Sequence, residues 1–88
     1  MTTRRYLLLT PHELEQILKD FGFTHQRTIG SHAQWEGVTY GVRRICTVQK
    51  IKGTYSTRRM KTVIENLGVT PQEFYSKNKK IGKRYQGK

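Results

Sequence analysis

The stretch Gly30-Ser31-His32 is the part of this chain best suited to proton-transfer chemistry. A glycine beside a small polar residue is typical of a tight turn, and the imidazole that follows can take up or release a proton near neutral pH. The chain carries 17 Lys and Arg against 6 Asp and Glu, a formal net charge of +11. An imidazole on a surface that attracts polyanions favours cleavage of RNA, with His32 as the catalytic residue. The alternative is an incidental surface histidine.

Basic side chains near this histidine would hold the RNA and stabilise the charge that grows on phosphorus. The same excess of charge is compatible with an acidic protein partner, an anionic membrane surface or a merely soluble basic protein. The segment Ser56-Thr57-Arg58-Arg59 can hold a phosphate or act only as a helix cap. We predict eight RNA-binding residues: Arg27, Ser31, Arg43, Arg44, Lys50, Lys52, Arg58 and Arg59.

The remaining histidines and the single cysteine give no pattern of metal ligands. We expect a solvated His12 at the start of a helix and a half-buried His25 in a strand. Cys46 excludes an intramolecular disulfide, and its apolar surroundings predict a buried thiol, which suits a reducing cytoplasm. We therefore expect no metal and no cofactor.

Two amphipathic helices carry most of the predicted core. Thr10-Pro11-His12-Glu13 is typical of a helix start with a capping box. A second helix begins at Ser56 or Thr57 and ends at Gly68, and a short third helix runs from Pro71 to about Lys77. The helical stripes and the inward strand residues predict one core: Leu14, Ile17, Leu18, Phe21, Phe23, Trp35, Val48, Met60, Val63, Ile64 and Leu67.

Three strands lie between the two long helices. We predict them over residues 23–29, 31–36 and 43–49, with 38–43 either a long hairpin loop or frayed strand ends. If Ala33 and Trp35 point into the core, alternation places His32, Gln34 and Glu36 on the opposite, open face. The predicted fold class is α+β: an α-β-β-β-α order, with a three-stranded antiparallel sheet, two helices on one face and a short C-terminal helix.

Residues 1–77 are predicted to form a single domain and residues 78–88 a basic, disordered tail. The tail holds five Lys and Arg but only Ile81 and Tyr85 to bury, so ordering it would cost more than it returns. Near the N-terminus, the four-residue apolar run from Tyr6 to Leu9 is too short for an export signal or a membrane span. We expect a cytoplasmic protein.

Several local patterns together resemble the HicA family of mRNA interferase toxins, also called YcfA-like. They are Leu9-Thr10-Pro11-His12-Glu13-Leu14 with Gly22-Phe23, then Arg27 with Gly30-Ser31-His32, then the run from Lys61 to Phe74. The resemblance covers about residues 7–76. It implies a fold like the double-stranded RNA-binding domain, endoribonuclease activity on mRNA with His32 as the catalytic residue, and a cognate HicB-type antitoxin that masks this face. Family members often have a second histidine where this chain has Ala33.

A different class of function fits the same residues. A non-catalytic RNA-binding module would use the basic loop from Lys50 to Tyr55, the start of the second helix and the tail, with no chemical role for His32. Bases could stack in such a module on the aromatic rings of Tyr40, Tyr55 and Trp35. The alternative is that these rings belong to the core, as aromatic residues of a small domain more often do, and we expect this for Trp35 in particular.

Overall fold

A computed structural model describes residues 6–86 of the chain. The three strands form one antiparallel sheet in the order β1-β2-β3. This arrangement confirms the predicted α+β layout, with one helix more than the predicted three. The elements are α1 (Pro11–Asp20), β1 (Thr24–Ile29), β2 (His32–Thr39), β3 (Val42–Gln49), α2 (Thr57–Leu67), α3 (Pro71–Ser76) and α4 (Lys79–Gln86).

Helix α1 begins at the predicted capping box. The Thr10 hydroxyl accepts from the Glu13 amide, and the Glu13 carboxylate accepts from the Thr10 amide. Ser56 caps α2 by accepting from the Arg59 amide, and Gly68 ends α2 in the left-handed region with φ of 70°. These local hydrogen bonds satisfy backbone groups that a helix end leaves unpaired.

One face of the sheet is covered by the helices. Ala33, Trp35, Cys46 and Val48 point to this face and are at most 5% exposed. They pack with the apolar stripes of α1 and α2 in one core, so the predicted core is confirmed, except that Phe21 lies at its margin and is only partly buried. The burial of Cys46 is likewise confirmed. Among residues 6–86 no helix lies on the opposite face, which we call the open face.

Both hairpins of the sheet have two-residue turns. Gly30, with φ of 61°, occupies the first turn position between Ile29 and His32, the pattern of a type II′ turn. In the second turn Tyr40 and Gly41 have φ of 51° and 76°, as a type I′ turn requires. The ambiguous segment 38–43 is therefore two strand ends joined by a tight turn. The Tyr40 hydroxyl donates to the Glu73 carboxylate, which joins this turn to α3.

The disorder predicted for the C-terminal segment is wrong for residues 79–86, which form α4. Ile81 and Tyr85 are 3% exposed and join the same core, and the Tyr85 ring stacks on Tyr75 with centroids 4.4 Å apart. A Cβ at Gly82 would lie 3.1 Å from Cα of Ser76, so the glycine permits α4 to approach α3 closely. The two apolar side chains are sufficient to order α4 because they pack on Tyr75 and the core behind it. The composition of the segment itself does not reveal this packing.

Residues 1–5 and 87–88, which include Arg4, Arg5 and Lys88, lie outside the described residues. Within residues 6–86, no helix has the length and apolar character that crossing a bilayer requires.

Candidate active site on the open face of the sheet

His32 is the first residue of β2 and is exposed on the open face of the sheet. It lies between Ile29 on β1 and Gln49 on β3, with Gln34 next along β2 on the same face. Its ring has no hydrogen-bond partner among residues 6–86. The type II′ turn directs the chain so that the imidazole projects at the end of the sheet, where an extended ligand can approach it.

Arg27 reaches the same face because β1 contains a bulge. The pairing shifts between His25, opposite Trp35, and Arg27, opposite Gln34. Without the extra residue, Gln26, alternation would place Arg27 on the side of β1 that carries His25, opposite to the face of His32. Arg27 Nε instead donates to Oε1 of Gln34 at 3.2 Å. This bond holds the guanidinium beside Gln34, which is the next residue after His32 on the same face of β2.

Lys50 and Ser31 meet at the same end of the sheet. The Lys50 amide donates to the Ser31 carbonyl at 2.8 Å, so the basic loop begins directly beside the turn that carries His32. Ser31, Lys50 and Lys52 are all exposed. We name His32, Arg27, Gln34, Gln49 and Lys50 together the His32 site.

Arg43 lies on the open face but far from this site. It pairs with Val38 on β2, six residues from His32, which corresponds to about 20 Å at roughly 3.3 Å per residue. Its guanidinium forms an ion pair with Glu36. The carboxylate offsets the positive charge of Arg43 at this end of the sheet.

Arg44 points to the helix-covered side and is half-buried. Its Nε donates to Oγ1 of Thr39 at 3.0 Å, and the buried Thr39 hydroxyl donates to the Leu67 carbonyl at 2.6 Å. The approach is possible because Gly68 has no side chain: a Cβ there would lie 2.4 Å from an Arg44 nitrogen. Arg44 therefore binds the C-terminal end of α2, where a positive charge is favourable, and the structure does not bring it to the His32 site.

Two of the residues at the start of α2 form hydrogen bonds that stabilise the fold. The Ser56 hydroxyl is used as the helix cap, and Arg59 donates to the Thr47 carbonyl at 3.2 Å on the free edge of β3. Arg58 is exposed. Of the four residues considered for a phosphate site here, Ser56 and Arg59 already have protein partners.

Cys46 and Tyr55 are buried weak acids. Burial raises the pKa of the Cys46 thiol to about 11, although the Arg59 charge opposes the shift. Burial also raises the pKa of Tyr55 to about 12, and its hydroxyl donates to the Gln49 carbonyl at 2.6 Å. Tyr55 is 3% exposed and cannot stack on a base, and neither can the buried Trp35, whereas Tyr40 is exposed.

The other two histidines are both exposed. His25 packs edge-on against Trp35 with ring centroids 5.6 Å apart and shares a hydrogen bond with Thr28, so the expected half-buried position is wrong. The helices leave this side of β1 uncovered. His12 is solvated in the first turn of α1, as expected. No group of three or more metal-ligating side chains occurs among residues 6–86.

Gln34 and Gln49 complete the His32 site and were not foreseen as functional residues. Gln34 lies two residues after His32 on the same face of β2, and Gln49 pairs with His32 across to β3. Amide N–H groups can donate to phosphate oxygens. Strand alternation indicated that Gln34 is outward, but only the register of β2 with β3 reveals Gln49. The site combines one proton-transfer group, cationic donors and neutral donors on an open surface. Groups of these kinds can hold a phosphodiester and transfer the protons that its cleavage requires.

Comparisons of the chain with protein-family models, with curated proteins and with solved structures find no match.

Proposed function

We propose that this protein is a toxin-type endoribonuclease that cleaves mRNA without a metal ion, with His32 as the general base or acid. The observation that carries the proposal is the exposed His32 imidazole at one end of the open sheet face, where Arg27 binds Gln34 and the Lys50 amide binds Ser31. The HicA-like motifs around Gly30-Ser31-His32 support the same function.

The chemistry follows from the groups of the His32 site. A base removes the proton of a ribose 2′-hydroxyl, the 2′-oxygen forms a bond to phosphorus, and the bond from phosphorus to the 5′-oxygen breaks as that oxygen gains a proton. The products are a 2′,3′-cyclic phosphate, or the 3′-phosphate formed from it with water, and a 5′-hydroxyl. Arg27 and Lys50 stabilise the extra charge on the phosphoryl oxygens, and Gln34 and Gln49 orient them.

A regulatory partner belongs to the same proposal. A HicB-type antitoxin would bind the open face and block access to His32. Ile29, Val38 and Ile45 are 58–60% exposed on this face and give a partner protein apolar surface to cover. Because the substrate is mRNA, the proposed location is the cytoplasm.

The test is cleavage of a defined RNA by pure protein in EDTA, with His32→Ala as the test variant and His25→Ala as the matched control. Both histidines are exposed, and only His32 lies at the proposed site. We expect His32→Ala to lose about 10²–10⁴ in rate and His25→Ala to retain activity. Equal cleavage by wild type and His32→Ala, or none by either, would refute the proposal.

A non-catalytic RNA-binding module is the second candidate, and one observation favours it. Helix α4 presents Lys79, Lys80 and Lys83 to solvent outside the His32 site, a surface that can hold phosphates without any chemistry. If wild-type protein binds structured RNA for hours without cleaving it and His32→Ala binds equally well, this candidate replaces the nuclease.

A further inference from the structure

A cavity of about 360 Å³ lies at the same end of the molecule as His32, between the start of α1 and the loop that follows β3. The residues that line the cavity are Thr10, Pro11, His12, Glu15, Lys50, Ile51 and Gly53, and most of the lining surface is apolar. A volume of this size falls at the lower end of the range for small-molecule sites. The fold holds both walls in place, since the Tyr55 amide donates to the Leu9 carbonyl at 2.9 Å.

Lys50 connects this cavity to the His32 site. Its backbone amide binds the carbonyl of Ser31, the residue before His32, and the same residue lines the cavity. The cavity therefore begins at the residue that binds the turn preceding His32.

We propose that the cavity is a subsite for one base of the RNA substrate, adjacent to the cleaved phosphate. This inference rests on the proposed function for the identity of the polymer. The set of side chains argues for a base and against a phosphate, because the Glu15 carboxylate repels an anion but accepts hydrogen bonds from the N–H groups of a base edge. Pro11 and Ile51 provide the apolar contact that a flat ring needs, and the His12 imidazole can stack on it.

Glu15 also predicts which bases the subsite prefers. A carboxylate accepts from an exocyclic amino group, such as N4 of cytosine, which uracil lacks. Uracil presents a carbonyl oxygen at the same position and would face the carboxylate with an acceptor. We therefore expect cytosine to bind more tightly than uracil, by about tenfold, as one charge-assisted hydrogen bond is worth.

The experiment is a titration of ¹⁵N-labelled protein with 3′-CMP and with 3′-UMP, followed by amide chemical shifts. These mononucleotides have no phosphodiester to cleave by this reaction, so the readout does not depend on catalysis. We expect the largest shifts at residues 12–15 and 50–53, with 3′-CMP binding about tenfold more tightly. Glu15→Gln should abolish most of this preference, whereas the control Glu65→Gln, at an exposed position on α2, should leave it intact.

Two outcomes would overturn the subsite. One is that shifts occur only at the lysines of α4, which indicates association through phosphate alone. The other is that Glu15→Gln leaves the ratio of the two affinities unchanged. If RNA is cleaved and the cavity shows no shifts, the subsite is refuted and the nuclease stands. If the cavity binds 3′-CMP as described and RNA stays intact, the subsite is supported and the nuclease is refuted.

Discussion

Arg27 Nε lies 3.2 Å from Oε1 of Gln34 on the open face of the sheet, because Gln26 bulges out of β1. The bulge reverses the alternation of β1 after His25, so one strand presents a histidine to one side and an arginine to the opposite side. Bulges commonly redirect a side chain in this way near functional sites. Arg27 thereby becomes the guanidinium nearest to His32 in the register of the sheet.

Arg27→Ala should weaken RNA binding and leave the fold unchanged. The side chain is exposed and its guanidinium binds another surface residue, Gln34, so the free energy of unfolding should change by less than about 0.5 kcal/mol. Loss of one phosphate contact should reduce the slope of log affinity against log salt by about 0.7–0.9. Fluorescence anisotropy with a labelled RNA at several salt concentrations measures this slope.

The matched control for this prediction is Arg44→Ala. Arg44 carries the same charge but binds Thr39 and the C-terminal end of α2. We expect it to lower stability, by about 1–3 kcal/mol for the broken buried network, with a smaller effect on the salt slope. The reverse pattern in the two variants would mean that the assignment of these arginines to the two faces is wrong.

Trp35→Ala should cost about 3–5 kcal/mol of folding free energy. Trp35 is 5% exposed, lies at the centre of β2 and contacts the core that both long helices share. A loss of this size is a large part of the stability of a small domain. Urea denaturation followed by circular dichroism measures it, and an unchanged midpoint would contradict the burial of this face.

The sequence signals that proved accurate are those whose physics is local. Thr10 and Glu13 cap α1 across three residues, and the alternation of Ala33 and Trp35 with His32 and Gln34 depends only on strand geometry. The capping box and the strand alternation each depend only on residues within a few positions of one another. The spacing of residues in the sequence was therefore enough to predict that His32 lies on the open face.

The features that were missed depend on partners distant in the chain. The bulge at Gln26 exists only in the pairing of β1 with β2, and the position of Arg44 depends on the end of α2, more than 20 residues away. Helix α4 is highly charged and has little apolar content, and its order comes from Tyr75 and the core behind it. Such long-range packing is not visible in a local pattern.

Stability should fall at alkaline pH as buried acidic groups lose their protons. Burial raises the pKa of Cys46 from 9.0 to about 11, and it raises the pKa values of Tyr55 and Tyr75 from 10.0 to about 12. The unfolded chain thus releases these protons at a lower pH than the folded protein does. The stabilisation is present in full below about pH 9 and is lost as the pH rises through 11 to 12.

Thermal melting between pH 8 and pH 12 measures this dependence. Cys46→Ala should remove the part of the decline that begins just above pH 9, at some cost in packing, and Tyr40→Phe serves as an exposed control with little effect on the core. A melting temperature that stays constant from pH 8 to pH 12 would contradict the burial of these groups.

Helix α4 should contribute separately to the fold and to RNA binding. Ile81→Ala removes a side chain that is 3% exposed and packs in the core, so it should cost about 2–5 kcal/mol. Truncation after Lys77 should destabilise the protein by at least as much, since it also removes Tyr85 from its stack on Tyr75. Melting temperatures of the two variants measure this contribution.

Replacing Lys79, Lys80 and Lys83 with glutamine tests whether the charge of α4 contributes to RNA binding. The replacement leaves the packing of the helix undisturbed. All three side chains are exposed, and glutamine is also a good helix former, so the melting temperature should stay within a few degrees of wild type. If all three lysines contact phosphates, the salt slope should fall by about 2–3, and cleavage at saturating RNA should be unchanged because His32 lies elsewhere. An unchanged slope would show that RNA does not reach α4. A loss of cleavage at saturation would show that the helix acts at the His32 site itself.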